Sequence, residues 1–415
     1  PLPSPVTVRG HKIGLMICED TWFPGAAAAL KNKGAELLIS INASPYEAGK
    51  HDRRLDTARA RIAETGLPLI YVNQDGGQDD LVFDGASFVM SEGGNIIVQA
   101  AAFAEDTHHT VWEKTAHGHW LCGTDAIIPY PDRTESIYKA LKTGLRDYVS
   151  KNGFSGVLLG LSGGIDSALA AAIAVDALGH ENVHGVFMPS KYTSKESEED
   201  ARSVAKNLSI HLDTISIAAE VAAFEQALAP HLAPHTPDIT FQNIQSRCRG
   251  VTLMALSNAT GKMLLSTGNK SEIATGYATL YGDMCGGYNP LADVYKMQVY
   301  ELARWRNRKA AVIPERIFTK APTAELKPGQ TDQDTLPPYE VLDAVLACLI
   351  ERDMGLQETV AQGHDKTTVA KIMRMLGASE YKRRQAAPGP KVSTRAFTRE
   401  RRFPMTSGFT KTIEK

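Results

Sequence analysis

"GVLLGLSGGIDSALAAAIAVDALG", residues 156–179, decides the fold. GVLLGL is apolar at nearly every position and reads as a strand buried on both faces; SALAAAIAVDALG follows at once as an Ala-rich helix. A strand, a glycine loop and a helix in that order form one unit of an open parallel sheet, whose ligands collect beyond the carboxyl ends of the strands. The loop Gly160-Leu161-Ser162-Gly163-Gly164-Ile165-Asp166-Ser167 suits an anion. Its glycines permit close backbone approach, the N–H groups and dipole of the following helix point at the ligand, and Ser162 and Ser167 add hydroxyls. It lacks the Gly-Lys-Ser/Thr ending through which an ordinary P-loop holds a nucleotide. Instead it carries a carboxylate, Asp166. A carboxylate repels phosphate unless a cation lies between them, so the pattern points to a nucleotide with Mg2+ bridging carboxylate and phosphate oxygens. The plain alternative is a Gly-Ser turn with no ligand.

Outward from this unit, the amphipathic helix ESIYKALKTGLRDYVSKNG (135–153) precedes it. The strands NVHGVFMP (182–189), HLDTISI (211–217) and GKMLLSTGN (261–269) and the helix ESEEDARSVAKNL (196–208) extend it into a doubly wound parallel sheet. Towards the N-terminus, KIGLMIC (12–18), AELLISIN (35–42), LPLIYVNQ (67–74) and the pair within ASFVMSEGGNIIVQA (86–100) alternate with helical stretches, the mark of a second layered α/β domain. The expected division is 1–112, a linker over 113–133 where the periodicity fails, and 134–415.

Composition narrows the classes. The chain has 415 residues, 43% of them hydrophobic, with 45 Lys+Arg against 47 Asp+Glu and a net charge of -2. That is room for two or three domains and no bulk charge to recruit nucleic acid or a membrane. Five scattered cysteines without a C-x-x-C pair exclude a disulfide framework or structural zinc site and fit a reducing cytoplasm. No apolar run is long enough for a membrane span and no signal peptide opens the chain, which begins at Pro1 with a strand almost immediately after it. An N-terminus that is incomplete is the expectation.

S-G-G-x-D-S after a strand resembles the pyrophosphate loop of the N-type ATP pyrophosphatases, which split ATP to AMP and pyrophosphate while adenylating a substrate. FQNIQSR (241–247), STGNKSEIATGYATLYGDMCGGYNPLADVYK (266–296), IFTKAPTAEL (317–326), TDQDTLPPY (331–339) and KRRQAAPGPKVSTRAF (382–397) narrow that group. Together they resemble the NAD synthetases in their glutamine-dependent form, over about residues 135 to 410. The resemblance implies adenylation of deamido-NAD and attack by ammonia, giving NAD, AMP and pyrophosphate, with ATP as co-substrate. It places Thr267, Lys296 and Thr323 with the loop at ATP, and Asn243, Glu272, Asp283 and Lys382 at deamido-NAD. Glu272, six residues beyond Ser266 at a strand end, is also placed to share Mg2+ with Asp166. Taken singly, a Thr, Asn or Lys is more often a cap or a solvated side chain. The stretch 381–415 holds ten Lys/Arg and two acids, Glu400 and Glu414; pairing with substrate phosphates or a neighbouring subunit is expected, against a solvated basic face.

LMICEDTW (15–22) sets Cys18 after an apolar strand, where a sharp turn exposes a thiol, although a lone cysteine there is more often a small core residue. The segment resembles the nucleophile turn of nitrilase-like glutaminase domains, and INASPYEAGK (41–50) their glutamine-binding strand. The resemblance implies a partial nitrilase-like α/β sandwich in which Cys18 attacks glutamine held by Ser44 and Lys50. The family's triad is Glu, Lys and Cys, and its Glu and Lys precede the cysteine on strands outside this sequence. The expectation is therefore a homo-oligomeric cytoplasmic synthetase that uses ammonia, lacking glutaminase activity in this sequence alone and drawing ammonia from glutamine in the complete protein. Two alternatives stand beside it. One is another adenylating amidotransferase such as a GMP synthetase; the other is a regulatory protein that binds nucleotide without turnover.

Overall fold

The computed structural model describes residues 3–233 and 235–408. It divides into two compact units, Pro1–Thr143 and Gly144–Lys415.

In the first unit, β1 (Val6–Val8), β2 (His11–Ile17), α1 (Ala26–Asn32), β3 (Leu37–Asn42), α2 (Lys50–Thr65) and β4 (Leu69–Asn73) are followed by the hairpin β5 (Asp75–Gln78) and β6 (Leu81–Asp84). Then come β7 (Phe88–Met90), β8 (Ile96–Gln99), a second hairpin of β9 (Trp112–Lys114) and β10 (Trp120–Cys122), and β11 (Ala126–Ile127). Among the described residues one sheet runs β1-β2-β3-β4-β7-β8-β11, with β2, β3 and β4 parallel. Side chains alternate across a strand, and the sequence uses both faces differently. Met16, Leu38, Leu69 and Tyr71 point inward and pack with Leu30 of α1 and Leu55 and Ile62 of α2. Leu15, Ile17, Ile41 and Val72, one position out of phase, are exposed. The stretch 113–133, expected as a linker, carries β10 and also β11, which pairs in parallel with β8. Three-residue strands, WEK and WLC, leave little periodicity to read.

Helix α3 (Arg133–Lys151) spans the division between the units. The second unit continues with β12 (Val157–Gly160), α4 (Ile165–Leu178), β13 (Val183–Phe187), α5 (Lys195–Leu208), β14 (His211–Thr214), α6 (Ala218–Leu228), α7 (Ile239–Thr260) and β15 (Met263–Leu265). All its strand pairs are parallel, in the order β14-β13-β12-β15. Strand order therefore reverses at β12, and the loops leaving β12 and β15 lie side by side, the place where such sheets bind ligands. The apolar reading of 156–179 has its cause here: β12 is buried between neighbours and α4 is buried from Ile165 to Ala174 save for a half-buried Asp166. The chain ends in α8 (Lys270–Thr275), α9 (Lys296–Lys309), α10 (Glu315–Thr319), α11 (Tyr339–Ile350), α12 (Leu356–Ala361), α13 (Lys366–Ala378) and α14 (Glu380–Arg383). Leu342, Leu346, Val369, Ile372 and Leu376 give this helical part its own core.

Candidate functional site

The loop after β12 is organised by its serines. Ser162 and Ser167 hydroxyls lie 3.1 Å apart, the Ser162 N–H donates to Ser167 Oγ at 3.2 Å, and the Gly164 N–H donates to Ser162 Oγ at 3.2 Å. Gly163 has φ +80°, and a Cβ there would lie 2.3 Å from the Ser197 carbonyl oxygen on α5. Glycine is required on both counts. Gly163→Ala is expected to cost about 1–3 kcal/mol from backbone strain alone, read as a lower urea midpoint with unchanged slope.

The loop after β15 supplies the second wall. Asn269 caps α8: its Oδ1 accepts the Glu272 N–H at 3.1 Å, while Glu272 Oε2 accepts the Asn269 N–H at 3.2 Å. The same Asn269 donates its side-chain amide to Asp166 Oδ1 at 2.9 Å, tying the two loops together. Lys296, the first residue of α9, donates to Asp166 Oδ2 and stands 3.7 Å from Glu272 Oε1. Its ammonium lies 5.2 Å from the centre of the Tyr339 ring. Burial works against the charge on Lys296, but Asp166 and Glu272 outweigh it and hold the pKa above the ordinary lysine value. Glu272 is pushed up to about 8, by burial first and by the charge of Asp166 second, with Lys296 opposing. This is a concentrated charge site on a cleft of about 300 Å³. The cleft is lined by the whole loop 160–167 and by Thr267, Glu272, Asp283, Lys296 and Thr323.

The remaining residues gather around the segment 276–283. Thr279 donates its hydroxyl to Asn243 Oδ1 at 2.9 Å and its N–H to Asp283 Oδ1 at 2.6 Å. Lys382 donates to the carbonyls of Gly276 and Ala278 at 2.7 and 2.6 Å. Burial raises the Asp283 carboxyl pKa; it lowers that of Lys382, which Asp283 counters. Asn243, Asp283 and Lys382 are thus held on one stretch of backbone, whereas Glu272 sits with Asp166.

Sequence reasoning passed over several residues in or beside the cleft. Asn269 was legible, since N-x-x-E ahead of a short helix is a capping box. Lys320 and Glu325 were not. Glu325 accepts from the Ser194 and Ser197 hydroxyls at 2.7 and 2.8 Å and pairs with Lys320 at 3.2 Å, joining the start of α5 to the 320–326 loop across more than a hundred positions.

The C-terminal basic stretch spends much of its charge internally. Arg383 and Arg384 pair with Glu380, Lys391 with Glu400 and Arg395 with Asp353. Lys270, fully buried, pairs with Asp293 at 2.8 Å and donates to Ser393 and the Arg395 carbonyl. Residues 409–415 lie outside the described part.

In the first unit, Cys18 begins a short 3-10 turn directly after β2 with φ +46°, a strained conformation for a non-glycine residue and one found at functional turns. Ser44 is buried and engaged: its N–H donates to Asn73 Oδ1 at 3.0 Å and its Oγ accepts from Arg54 Nε at 3.1 Å. Lys50 opens α2, with its ammonium 5.8 Å from the centre of the Trp22 ring. Among the described residues, no hydrogen bond or ion pair reaches the Cys18 thiol.

The NAD synthase family pattern matches residues 137–386 and the carbon-nitrogen hydrolase pattern residues 2–110. The glutamine-dependent NAD(+) synthetase of Rhodobacter capsulatus is 52% identical over 98% of this chain and 75% of its own length. That of Aquifex aeolicus is 43% identical over 99% of this chain and 77% of its own. The solved glutamine-dependent NAD+ synthetase of Acinetobacter baumannii, in complex with ADP, is 44% identical with a TM-score of 0.73, over 98% of this chain and 74% of that one. With these identities over nearly the whole chain and both family patterns matched within it, the chain belongs to the glutamine-dependent NAD(+) synthetases.

Proposed function

We infer that the second unit joins ammonia to deamido-NAD. The deamido-NAD carboxylate attacks the α-phosphorus of ATP, expelling pyrophosphate; ammonia then attacks the acyl-adenylate, giving the amide of NAD, AMP and a proton. The observation that carries this reading is the buried Asp166–Lys296–Glu272 cluster facing a loop of N–H and hydroxyl donors. Such donors, fixed before the reaction, stabilise charge as it moves onto the departing pyrophosphate. Gly163, Gly164, Ser162 and Ser167 take the pyrophosphate oxygens. Lys296 balances the two carboxylates and offers a cation to the triphosphate, with Thr267 and Thr323 beside it. Asn243, Asp283 and Lys382 position deamido-NAD through the 276–283 segment.

Two convergent hard oxygen donors, Asp166 and Glu272, fit Mg2+. When bound, the ion neutralises triphosphate charge. In the first unit Cys18 is the nucleophile toward the glutamine amide, with Ser44 and Lys50 contacting glutamine. In the same reading the enzyme works as a cytoplasmic homo-oligomer, which sedimentation and cell fractionation test.

The deciding experiment supplies deamido-NAD, ATP and Mg2+ with either ammonium or glutamine and measures NAD and pyrophosphate. NAD formed with ammonium supports the reading; ATP binding by folded protein with no pyrophosphate release under either donor sinks it in favour of a nucleotide-binding regulator. Cys18→Ala is expected to leave ammonium-dependent NAD formation within about twofold, because the thiol acts only in releasing ammonia from glutamine.

A further inference from the structure

Among the described residues, His184, His211 and Asp213 bring a ligand atom each to within 4.8 Å of one another. They lie on β13 and β14, where His184 is opposite His211 and Val186 opposite Asp213. Residues two apart on a strand share a face, and so do registered neighbours in a parallel pair, so the three side chains leave the sheet on one side. Both imidazoles aim Nε2 at one carboxylate, His184 at Oδ2 from 2.8 Å and His211 at Oδ1 from 3.0 Å. The ring centres are 4.9 Å apart. β14 is an edge strand: the His184 side chain is 12% exposed and that of His211 69%. The cluster is therefore anchored in the sheet on one side and open to water on the other.

Two imidazole nitrogens and a carboxylate oxygen, with room for water, form the donor set of an open zinc site. A satisfied His–Asp pair needs one imidazole; here two converge on the same carboxylate at the protein surface. We propose that His184, His211 and Asp213 bind one Zn2+ ion, with water completing the coordination. A small turn of the exposed His211 ring brings its nitrogen into range, and the metal replaces the two His–Asp hydrogen bonds. Both histidines sit at the amino ends of their strands, opposite in strand direction to the loops that follow β12 and β15. The ion acts as a clamp on the edge of the sheet. β13 carries that clamp at one end and, at and just beyond the other, Val186, Phe187 and Met188 on the nucleotide cleft.

The test titrates the chelator-treated full chain with Zn2+ by calorimetry and with Co2+ by visible absorption, alongside His211→Ala and Asp213→Asn. One metal equivalent is expected in the parent, weakened about tenfold or more in each variant, with Zn2+ raising the unfolding temperature of the parent alone. Unchanged ammonium-dependent activity in both variants shows that they fold. Equal affinity and stoichiometry in all three proteins overturns the proposal, as does the absence of Zn2+ binding by the parent.

Discussion

Lys296→Met is expected to lower pyrophosphate release by about 10²–10³-fold, the usual loss when a fixed donor to a charged transition state is removed. The lysine side chain is 3% exposed and holds two carboxylates that are themselves only 17% and 18% exposed. Without it, Asp166 and Glu272 face each other in a poorly hydrated site. Two such carboxylates do not both ionise, and Glu272, pushed up to about 8 even with Lys296 opposing, is pushed further and keeps its proton. Breaking a buried pair costs about 3–5 kcal/mol when the remaining charge has no escape; protonation provides one, so the stability loss falls at or below the lower end. Activity should therefore suffer more than folding. A coupled pyrophosphate assay beside a urea titration separates the two, and Lys296→Met activity within threefold of the parent would refute the role given to this residue. Lys296→Arg retains charge but not the compact ammonium between Asp166 and Glu272, and should recover stability before activity.

The second large effect is one of stability, in the first unit. Arg54 and Asp84 side chains are each 1% exposed and 2.8 Å apart. The guanidinium also donates to Ser44 Oγ at 3.1 Å and to the Ser44 and Pro45 carbonyls at 2.8 and 3.1 Å. Arg54→Met leaves a buried carboxylate supported by the Tyr130 hydroxyl at 2.8 Å and two carbonyls without their donor. The expected loss is about 3–5 kcal/mol, a fall in the unfolding temperature on the order of 10 °C for a unit of this size. Calorimetry that finds the parent's transition intact in Arg54→Met would show the network to be dispensable. Arg54→Lys should rescue little, since an ammonium cannot reach four acceptors arranged for a planar fork.

These networks also mark where sequence reading stops. The sheet of the second unit was legible because its strands are apolar runs with glycine or polar loops at their ends, a pattern that periodicity and turn chemistry describe locally. The phosphate loop was legible for the same reason. Asp166, Glu272 and Lys296 were singled out, but their ion pairing spans 130 positions and no local spacing encodes it. Arg54 drew no attention, because an arginine on an amphipathic helix reads as solvated until its partners 30 and 10 positions away are known. Within 113–133, short strands owe their existence to pairing across the sheet and hairpin rather than to their own pattern.

At Gly163 the phosphate loop touches the backbone of α5 with no side chain between them. Ser194 and Ser197 at the start of α5 are bonded in turn to Glu325. The loop thus meets α5 through bare backbone, while α5 meets the 320–326 loop through the flexible Glu325 side chain. A side chain at position 163 would therefore have to push the phosphate loop off the head of α5, and the two bonds from that head to Glu325 would be disturbed with it.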